Sequence, residues 1–377
     1  MKYMKLGDIA TYINGYAFKP EQWSSSGKQI IRIQNLNNQN AEYNYFDGNI
    51  NEKYFVRKGD ILISWSASIG VYEWNLDNSL LNQHIFRVEF NKINIDKKYF
   101  KFIVGIALER SIKYMHGSTM KHITKKYFDD IKIPVPKLNM QNKVAEVLDK
   151  AQKLIDKRKK QIEELDLLVK SKFIEMFGDP ITNKRSLSKV KLDEIGCWKT
   201  GGTPSRCNNE YYNGTIPWLS SGELNNMYCF DSIEKITEIA IKESSAKIIP
   251  VGSLLLGMYD TAALKSTINR IECSCNQAIA YANLNENLVN TVYVYYCIQI
   301  GKEFYKSQQR GVRQKNLNLS IVKGLEILLP DLVLQKQFAD FVKQVDKLKF
   351  EMENSLKELE DNFNSLMKRA FKGELFN

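Results

Sequence analysis

The feature that most constrains the fold of this chain is a run of apolar residues that recur alternately three and four positions apart. The run comprises Val144, Leu148, Ala151, Ile155, Ile162, Leu165, Val169 and Met176, with Arg158 at the interrupted position. This spacing predicts one long helix that carries a coiled-coil seam. Pro134 and Pro136 keep the chain extended before the helix, and Gly178 and Pro180 are a C-terminal stop signal.

A helix of roughly 37 residues, about 55 Å long at 1.5 Å per residue, cannot bury this stripe on itself. Charged runs at 157–160 and 163–166 indicate that its other faces are solvated, so it needs a partner helix. A second seam lies between Gln335 and Lys372, after Pro330 and before Gly373. We predict an antiparallel coiled coil within the chain; a helical hairpin inside a larger core is the alternative. The predicted seam residues are Leu148, Ile155, Ile162, Leu165, Val169, Leu348, Met352, Leu356, Leu359 and Phe363.

Length and charge narrow the class of protein. A chain of 377 residues with 44% hydrophobic residues has room for two or three domains, and a net charge of +11 favours a polyanionic partner. The six cysteines lie between positions 197 and 297 without a CxxC pair, which argues against a zinc site or a disulfide framework and favours the reduced cytoplasm. No apolar run reaches the roughly 18 residues of a membrane helix, and we expect no targeting segment and no membrane partner.

The chain is internally repeated. Gly117, Lys121, Pro136, Gln141, Ala145, Leu154, Leu165 and Phe177 recur 194 positions later as Gly311, Lys315, Pro330, Gln335, Ala339, Leu348, Leu359 and Phe371. Asn82-Gln83 recurs as Asn276-Gln277 at the same offset, whereas the opening Lys5-Leu6 recurs at an offset of 186 as Lys191-Leu192. The repeat predicts a tandem duplication in which each copy is a globular domain followed by a long helix.

Each globular copy combines strand-like stretches with segments of helical spacing. Short β-rich stretches at 30–33, 60–64, 84–90, 253–257 and 278–282 predict strands, and residues 99–108 and 292–302 have helical spacing. The predicted fold class is therefore α+β: two similar domains separated by two long helices, with a pseudo-twofold internal repeat. The boundaries we predict are 1–137 for the first domain, 138–180 for the first helix, 181–330 for the second domain and 331–377 for the second helix.

A set of short motifs resembles a known family. The motifs are DILIS at 60–64, LNQH at 81–84, GSTxKxI at 117–123, IPVP at 133–136 followed by Gln141, MFGDP at 176–180, TGGTPS at 200–205, IPWLSSG at 216–222, GVRQKNL at 311–317 and AFKGEL at 370–375. Their order and duplication are similar to those of the specificity subunits of Type I restriction-modification systems. One departure is that Met140 and Leu334 precede the glutamines, where the family often has an acidic residue.

The resemblance implies two target-recognition domains, each of which reads one half of a split site in double-stranded DNA. It also implies that the helices set the spacer and dock two methyltransferase subunits, with restriction (translocase and nuclease) subunits as further partners. The implied cofactors belong to those partners: S-adenosylmethionine for the methyltransferase, and ATP and Mg²⁺ for the restriction subunit. None is expected in this chain.

Catalytic motifs are absent from the sequence. There is no Pro-Pro pair, and hence no Asx-Pro-Pro-aromatic motif of adenine methyltransferases, and there is no glycine-rich cofactor loop and no GxxxxGK[ST] phosphate loop. The acidic residues are scattered, and His84, His116 and His122 have no evident Ser or Cys partner. We therefore predict a chain without catalytic activity and without a metal site.

In the absence of catalytic motifs, the remaining functional candidates are side chains that could recognise DNA. Arg and Lys contact phosphates and guanine edges, Asn and Gln pair with adenine edges, and Ser and Thr hold register. The first-domain candidates are Lys19, Gln22, Trp23, Ser24, Ser25, Lys28, Arg32, Gln34, Asn35, Trp65, Ser66, Ser68, Lys121, His122 and Lys125. The second-domain candidates are Thr203, Ser205, Arg206, Ser220, Ser221, Tyr259, Asp260, Lys265, Arg270, Arg310, Arg313, Gln314, Lys315 and Asn316. A coiled-coil assembly protein whose globular domains bind proteins is the alternative function.

Overall fold

The computed structural model describes residues 2–38, 40–66, 68–114, 123–259, 262–307 and 316–375, excluding the side chains of 112–114. The chain divides into two compact units, one comprising 1–160 with 353–377 and the other 161–352. Each unit contains a globular α+β portion and a segment of each of two long helices.

The first unit is built from short strands and helices in mixed order. Its strands are β1 Tyr3–Lys5, β2 Thr11–Asn14, β3 Lys28–Ile31, β4 Asn44–Phe46, β5 Phe55–Val56, β6 Ile61–Ser64, β7 Gly70–Glu73, β8 Ser79–Leu81, β9 Ile85–Glu89 and β10 Lys132–Pro134. Its helices are α1 Leu6–Ile9, α2 Ile33–Asn37, α3 Lys97–Tyr114 and α4 Lys125–Asp130, with 3-10 turns at Pro20–Gln22 and Glu52–Tyr54. The first long helix, α5, is Leu138–Phe177.

Two four-stranded sheets in the order β4-β3-β8-β5 and β2-β9-β6-β7 form the body of the first unit, and β1 pairs with β10. All four residues of β6 are buried. Because side chains alternate across a strand, Ile61 and Ile63 join a core with α3 and the long helices, whereas Leu62 packs with Trp74 and Ile31. The sheet that contains β6 is therefore a middle layer with a core on each face.

The second unit repeats this plan. Its strands are β11 Lys189–Lys191, β12 Lys199–Thr200, β13 Tyr212–Leu219, β14 Tyr228–Cys229, β15 Glu234–Ile236, β16 Leu254–Gly257, β17 Ser266–Asn269, β18 Ser274–Cys275, β19 Ile279–Ala282 and β20 Glu326–Leu328. Its helices are α6 Leu192–Ile195, α7 Glu238–Glu243, α8 Thr291–Ile300, α9 Lys302–Lys306 and α10 Leu319–Gly324, with 3-10 turns at Asn209–Tyr211 and Ser221–Glu223. The second long helix, α11, is Leu332–Lys372.

The sheets of the second unit have the orders β12-β19-β16-β17-β14 and β15-β13-β18, and β11 pairs with β20. The buried strand β16 again has a core on each face: Leu254 and Leu256 lie in the cluster with the long helices, and Leu255 packs with Leu219 and Cys275. The same layering is thus built from a different sequence.

The predicted pair of long helices is confirmed. In the second unit, the Phe177 and Phe338 ring centroids are 5.7 Å apart and Lys349 Nζ lies 2.6 Å from Asp166 Oδ1. Residue numbers rise from 166 to 177 along α5 while those of the contacting residues fall from 349 to 338 along α11. The two segments are therefore antiparallel. Gly178 and Gly373, each with φ near +78°, follow the last residues of α5 and α11, as expected for left-handed C-terminal caps.

The structure contradicts one of the predicted seam positions. Leu348 is 42% exposed, whereas the neighbouring Val345 is buried. Lys349 occupies the step between Val345 and Met352 with a side chain that is only 29% exposed, and its ammonium group lies 2.6 Å from Asp166 Oδ1. The placement of Leu348 in the seam was wrong.

Leu148, Ile155, Leu165 and Val169 are buried. Ile162, Met352, Leu356, Leu359 and Phe363 are half-buried.

The duplication extends to individual hydrogen bonds. Tyr99 and Tyr293 each donate their hydroxyl to a backbone carbonyl 35 residues later, at 2.9 Å, those of Pro134 and Leu328. The indole of Trp198 donates to Leu192 O at 2.7 Å, as the hydroxyl of Tyr12 does to Leu6 O at 3.1 Å. The repeat therefore preserves geometry even where the side chain differs.

Candidate nucleic-acid interface

The first unit contains a groove at the ends of two parallel strands. β3 and β8 pair in parallel with Ile31 opposite Leu81, so both strands end at the same edge of their sheet. Beyond that edge the side chains of two segments line a groove of about 320 Å³. They are Arg32, Ile33 and Gln34 after β3, called the first wall, and Asn82, Gln83 and His84 after β8, called the second wall.

The second unit has the same strand arrangement. β13 and β18 pair in parallel with Leu219 opposite Cys275. Residues 220–222 follow β13 and residues 276–278 follow β18, so they are the equivalents of the first and second walls. The first wall changes from Arg-Ile-Gln to Ser-Ser-Gly, whereas the second wall keeps its Asn-Gln. The two units therefore share one wall and differ in the other.

A side-chain cap holds each first wall in place. Asn35 Oδ1 accepts a hydrogen bond from Arg32 N at 3.0 Å, and Glu223 Oε2 accepts one from Ser220 N at 2.8 Å. Asn35 is fully buried and also donates to Ala41 O and Glu42 O. Its polar groups are satisfied inside the protein. The prediction that Asn35 contacts DNA is therefore contradicted; it caps the turn that presents Arg32.

A glycine lies against each second wall. A Cβ atom on Gly15 would lie 1.9 Å from Asn82 O, and one on Gly201 would lie 2.2 Å from Cys275 O. No larger residue fits at either position without moving the backbone. This close approach of the glycine to the neighbouring backbone fixes the position of the Asn-Gln segment in both units.

Aromatic and basic side chains border the groove of the first unit. The Arg32 guanidinium lies 5.6 Å from the centroid of the 40%-exposed Trp23 ring and donates to Asn44 Oδ1 at 3.0 Å. On the other side, the Trp65 ring lies 4.9 Å from His84 and stacks on Phe86 at 5.6 Å. Trp23 thus borders the first wall and Trp65 the second. Gln34 Nε2 on the first wall donates to Glu42 O at 3.1 Å.

Several other first-domain candidates support their own loops. Gln22 accepts a hydrogen bond from Lys19 N at 2.9 Å, and the Ser24 hydroxyl donates to Ser26 O at 2.6 Å. Lys28 lies 5.3 Å from the Phe55 ring, and Lys125 forms an ion pair with Asp129 at 2.6 Å. The remaining candidates are the exposed Ser25 and Ser68 and the half-buried Ser66.

Arg206 is engaged within the second unit. Its guanidinium donates to both carboxylate oxygens of Glu234, at 2.6 and 2.7 Å, and lies over the rings of Tyr212 and Trp218 at 4.6 and 5.2 Å. The hydrogen bond from Arg206 holds the pKa of Glu234 below its ordinary value. This arginine therefore offers DNA no uncompensated charge.

The other second-domain candidates lie in several separate places. Thr203 donates its hydroxyl to Gln277 on the second wall, near the exposed Ser205, while Ser220 and Ser221 form the first wall. Lys265 donates to Asn225 Oδ1 at 2.8 Å, and Tyr259 forms an isolated β-bridge with Asn316. Arg270 instead lies 4.0 Å from the Tyr228 ring and lines a cavity with Lys336 of α11.

Some candidates lie outside the described residues: Lys121, His122, Asp260, Arg310, Arg313, Gln314 and Lys315. Conversely, Asn82, Gln83, Asn276 and Gln277 were not among the candidates, although their recurrence at the offset of 194 singled them out.

Neither metal chemistry nor membrane insertion is indicated in the described part of the chain. It contains no group of three His, Cys, Asp or Glu side chains placed to hold a metal ion. None of its helices has both the length and the apolar character that crossing a membrane requires.

Comparison with known proteins gives a consistent result. The family model for the Type I restriction modification DNA specificity domain matches residues 1–166 and 185–361. The Type I restriction enzyme EcoBI specificity subunit of Escherichia coli is 21% identical over 99% of this chain and 85% of its own length. The MjaVIII specificity subunit of Methanocaldococcus jannaschii is 21% identical over 79% of this chain and 75% of its own length.

Two solved structures share the fold. A chain from a structure of the type I R-M system has a TM-score of 0.61 at 14% identity, covering 99% of this chain and 98% of its own. The crystal structure of the S subunit from M. genitalium has a TM-score of 0.55 at 14% identity, covering 98% and 96%.

Proposed function

Because this chain belongs to the family of Type I restriction-modification specificity subunits, and is therefore a non-catalytic DNA sequence-specificity subunit, we propose that each globular domain reads one half of a bipartite site in double-stranded DNA. The relatives do not favour the alternative of an assembly protein that binds only proteins. The net charge of +11 suits a polyanionic ligand.

This proposal rests on the equivalent strand ends of the two units, which carry different first walls. Arg32 and Gln34 offer the chemistry that pairs with guanine and adenine edges, whereas Ser220 and Ser221 offer short hydroxyls, and that of Ser220 donates to Glu223 Oε2 at 2.7 Å. A first wall that differs on a common frame gives two domains the means to read two different half-sites. We therefore assign Arg32 and Gln34 to base recognition in the first half-site, and Ser220 and Ser221 to the second.

The long helices serve as spacer and docking platform in this proposal. α5 and α11 have 40 and 41 residues, or about 60 Å each, which exceeds the roughly 34 Å between half-sites one turn of DNA apart. We propose target-recognition domains at 1–137 and 181–330, and helical spacers at 138–180 and 331–377.

The proposed partners are two methyltransferase subunits with S-adenosylmethionine, and restriction subunits with ATP and Mg²⁺, all in the cytoplasm.

Methylome sequencing tests the proposal. A host that expresses this chain with its methyltransferase should acquire methylation at a bipartite motif with two unlike halves and a fixed spacer. Replacing residues 32–34 by Ser-Ser-Gly should then change the first half only. No new motif, or a motif altered in both halves by this replacement, would contradict the proposal.

A single substitution sharpens the assignment. Arg32→Ala should weaken or relax recognition of one half-site by about 1–3 kcal/mol if the guanidinium pairs with a guanine. Arg57→Ala is the matched control, because Arg57 is exposed, carries the same charge and lines a different cavity with Glu52 and Asp60. The control should leave the motif unchanged.

A further inference from the structure

The second wall presents the same exposed glutamine in both units. Gln83 and Gln277 are both exposed, and each follows a half-buried asparagine at the end of an equivalent strand. Since the first walls differ, a residue kept in both second walls is suited to a feature that both half-sites share.

The local fold of the first unit does not require this glutamine side chain. In the first unit, the backbone holds the segment through a hydrogen bond from Gln83 N to Tyr16 O at 2.9 Å. In the second, Asn276 N donates to Leu219 O at 3.0 Å, and Asn276 Oδ1 accepts from Ala278 N at 3.1 Å. Among the described residues, the Gln83 side chain makes no hydrogen bond. A purely structural role therefore leaves its presence unexplained.

In the second unit, a hydrogen bond holds the oxygen end of the Gln277 side-chain amide. The Thr203 hydroxyl donates to Gln277 Oε1, and Gln277 Nε2 makes no hydrogen bond among the described residues. The position equivalent to Thr203 in the first unit is Ala17, so Gln83 is not oriented in this way. In both units the Nε2 hydrogens are therefore available to donate, and an acceptor that every half-site carries is a phosphate oxygen.

Resting on the proposed function, we propose that Gln83 and Gln277 are positioning residues, each of which donates a hydrogen bond from its side-chain amide to a backbone phosphate of its own half-site. The contact sets the register of each domain on the duplex, and the adjacent first wall then meets the bases. The two contacts are equivalent because the strand ends and the glycines Gly15 and Gly201 place both segments alike.

The test uses the full chain in complex with its methyltransferase and duplexes that carry one neutral methylphosphonate at successive positions. For the wild-type chain, neutralising one phosphate in each half-site should weaken binding by roughly tenfold to a hundredfold, since a hydrogen bond to a charged group is lost. Gln83→Ala should cause a similar loss on unmodified DNA and should become insensitive to the methylphosphonate in the first half-site only. Gln277→Ala should behave likewise in the second.

Other results overturn the proposal. Gln83→Ala and Gln277→Ala binding like wild type would show that the glutamines do not contact DNA, and an altered methylation motif would show that they read bases. Gln83→Glu tests whether the contacted group is negatively charged, because a carboxylate that faces a phosphate should weaken binding more than alanine does. Binding equal to or tighter than that of Gln83→Ala would contradict the contact. A wild-type complex that does not discriminate its motif from unrelated DNA would refute the proposed function itself.

Discussion

Gln141 and Gln335 make the same two hydrogen bonds 194 positions apart in the chain. Each donates its amide to a proline carbonyl five residues earlier, at 2.8 Å, and each accepts a backbone N–H at 2.9 Å, from Asp96 and Asn290 respectively. Both glutamines are buried near the start of a long helix. Each one ties its helix to the loop that precedes α3 or α8.

Removing either glutamine should destabilise its unit. Gln141→Ala leaves a donor and an acceptor of the backbone without their partner, so we expect the free energy of unfolding to fall by about 1–3 kcal/mol. Urea denaturation measures this change. Gln344→Ala is the control, since Gln344 is exposed on α11 and should change stability little. Equal effects of the two substitutions would refute the bridging role.

The helix pairing predicts a position-dependent effect of charge. Leu165 is 8% exposed in the core of the second unit, whereas Leu168, one turn further on α5, is 48% exposed. Leu165→Asp buries a carboxylate and should lower the free energy of unfolding by several kcal/mol, while Leu168→Asp should be tolerated. Circular dichroism during urea titration distinguishes the two variants. Comparable losses would mean that the seam is misassigned.

Asp346 on α11 should make stability depend on pH. Burial raises the pKa of this carboxyl group, Asp166 adds to the shift, and Lys349 and Arg270 oppose it; Asp346 Oδ2 is buried without a hydrogen-bond partner among the described residues. Because the folded-state pKa exceeds the unfolded value of about 3.9, the protein loses stability as pH rises from there through the folded-state pKa.

Asp346→Asn should therefore raise Tm at pH 7, and the difference from wild type should vanish near pH 3.5. Thermal melts at the two pH values measure the effect. Asp340→Asn, at an exposed position on the same helix, should not reproduce it. A lower Tm of Asp346→Asn at pH 7 would contradict the assigned direction.

Arg206 should be dispensable for sequence recognition. Its guanidinium is already paired with Glu234 and stacked over two rings, so we expect Arg206→Ala to leave both halves of the methylation motif unchanged. Methylome sequencing of a host with this variant checks the expectation. A relaxed second half would show that Arg206 exchanges Glu234 for a base.

The long helices were predictable because apolar spacing is a local signal that flanking prolines and glycines delimit. The same signal could not decide between Leu348 and Lys349, since both positions continue a three-four pattern from Val345 to Met352. The choice depends on the carboxylate of Asp166, which faces this step from α5. Apolar spacing alone therefore does not show that a lysine occupies a seam position, because that assignment needs the position of the partner helix.

The groove was less predictable, because its walls come from segments about 50 residues apart that meet through parallel pairing of β3 with β8. Residue type suggested Arg32 and Gln34, which line the groove, and equally Asn35, which the fold uses as a buried cap. Amide groups suit DNA edges and helix caps alike, so composition cannot separate these roles.

The division of each groove into a shared and a differing wall bears on how such a chain acquires new specificity. The first wall follows a strand end and is anchored by one capping side chain, Asn35 or Glu223. A short genetic exchange that spans this turn and its cap replaces the groups that we propose to read bases, without disturbing the strands or the glycine contact that holds the other wall. On the proposed function, recombination between relatives alters one half of the target at a time, and a host gains a new modification pattern without rebuilding the fold.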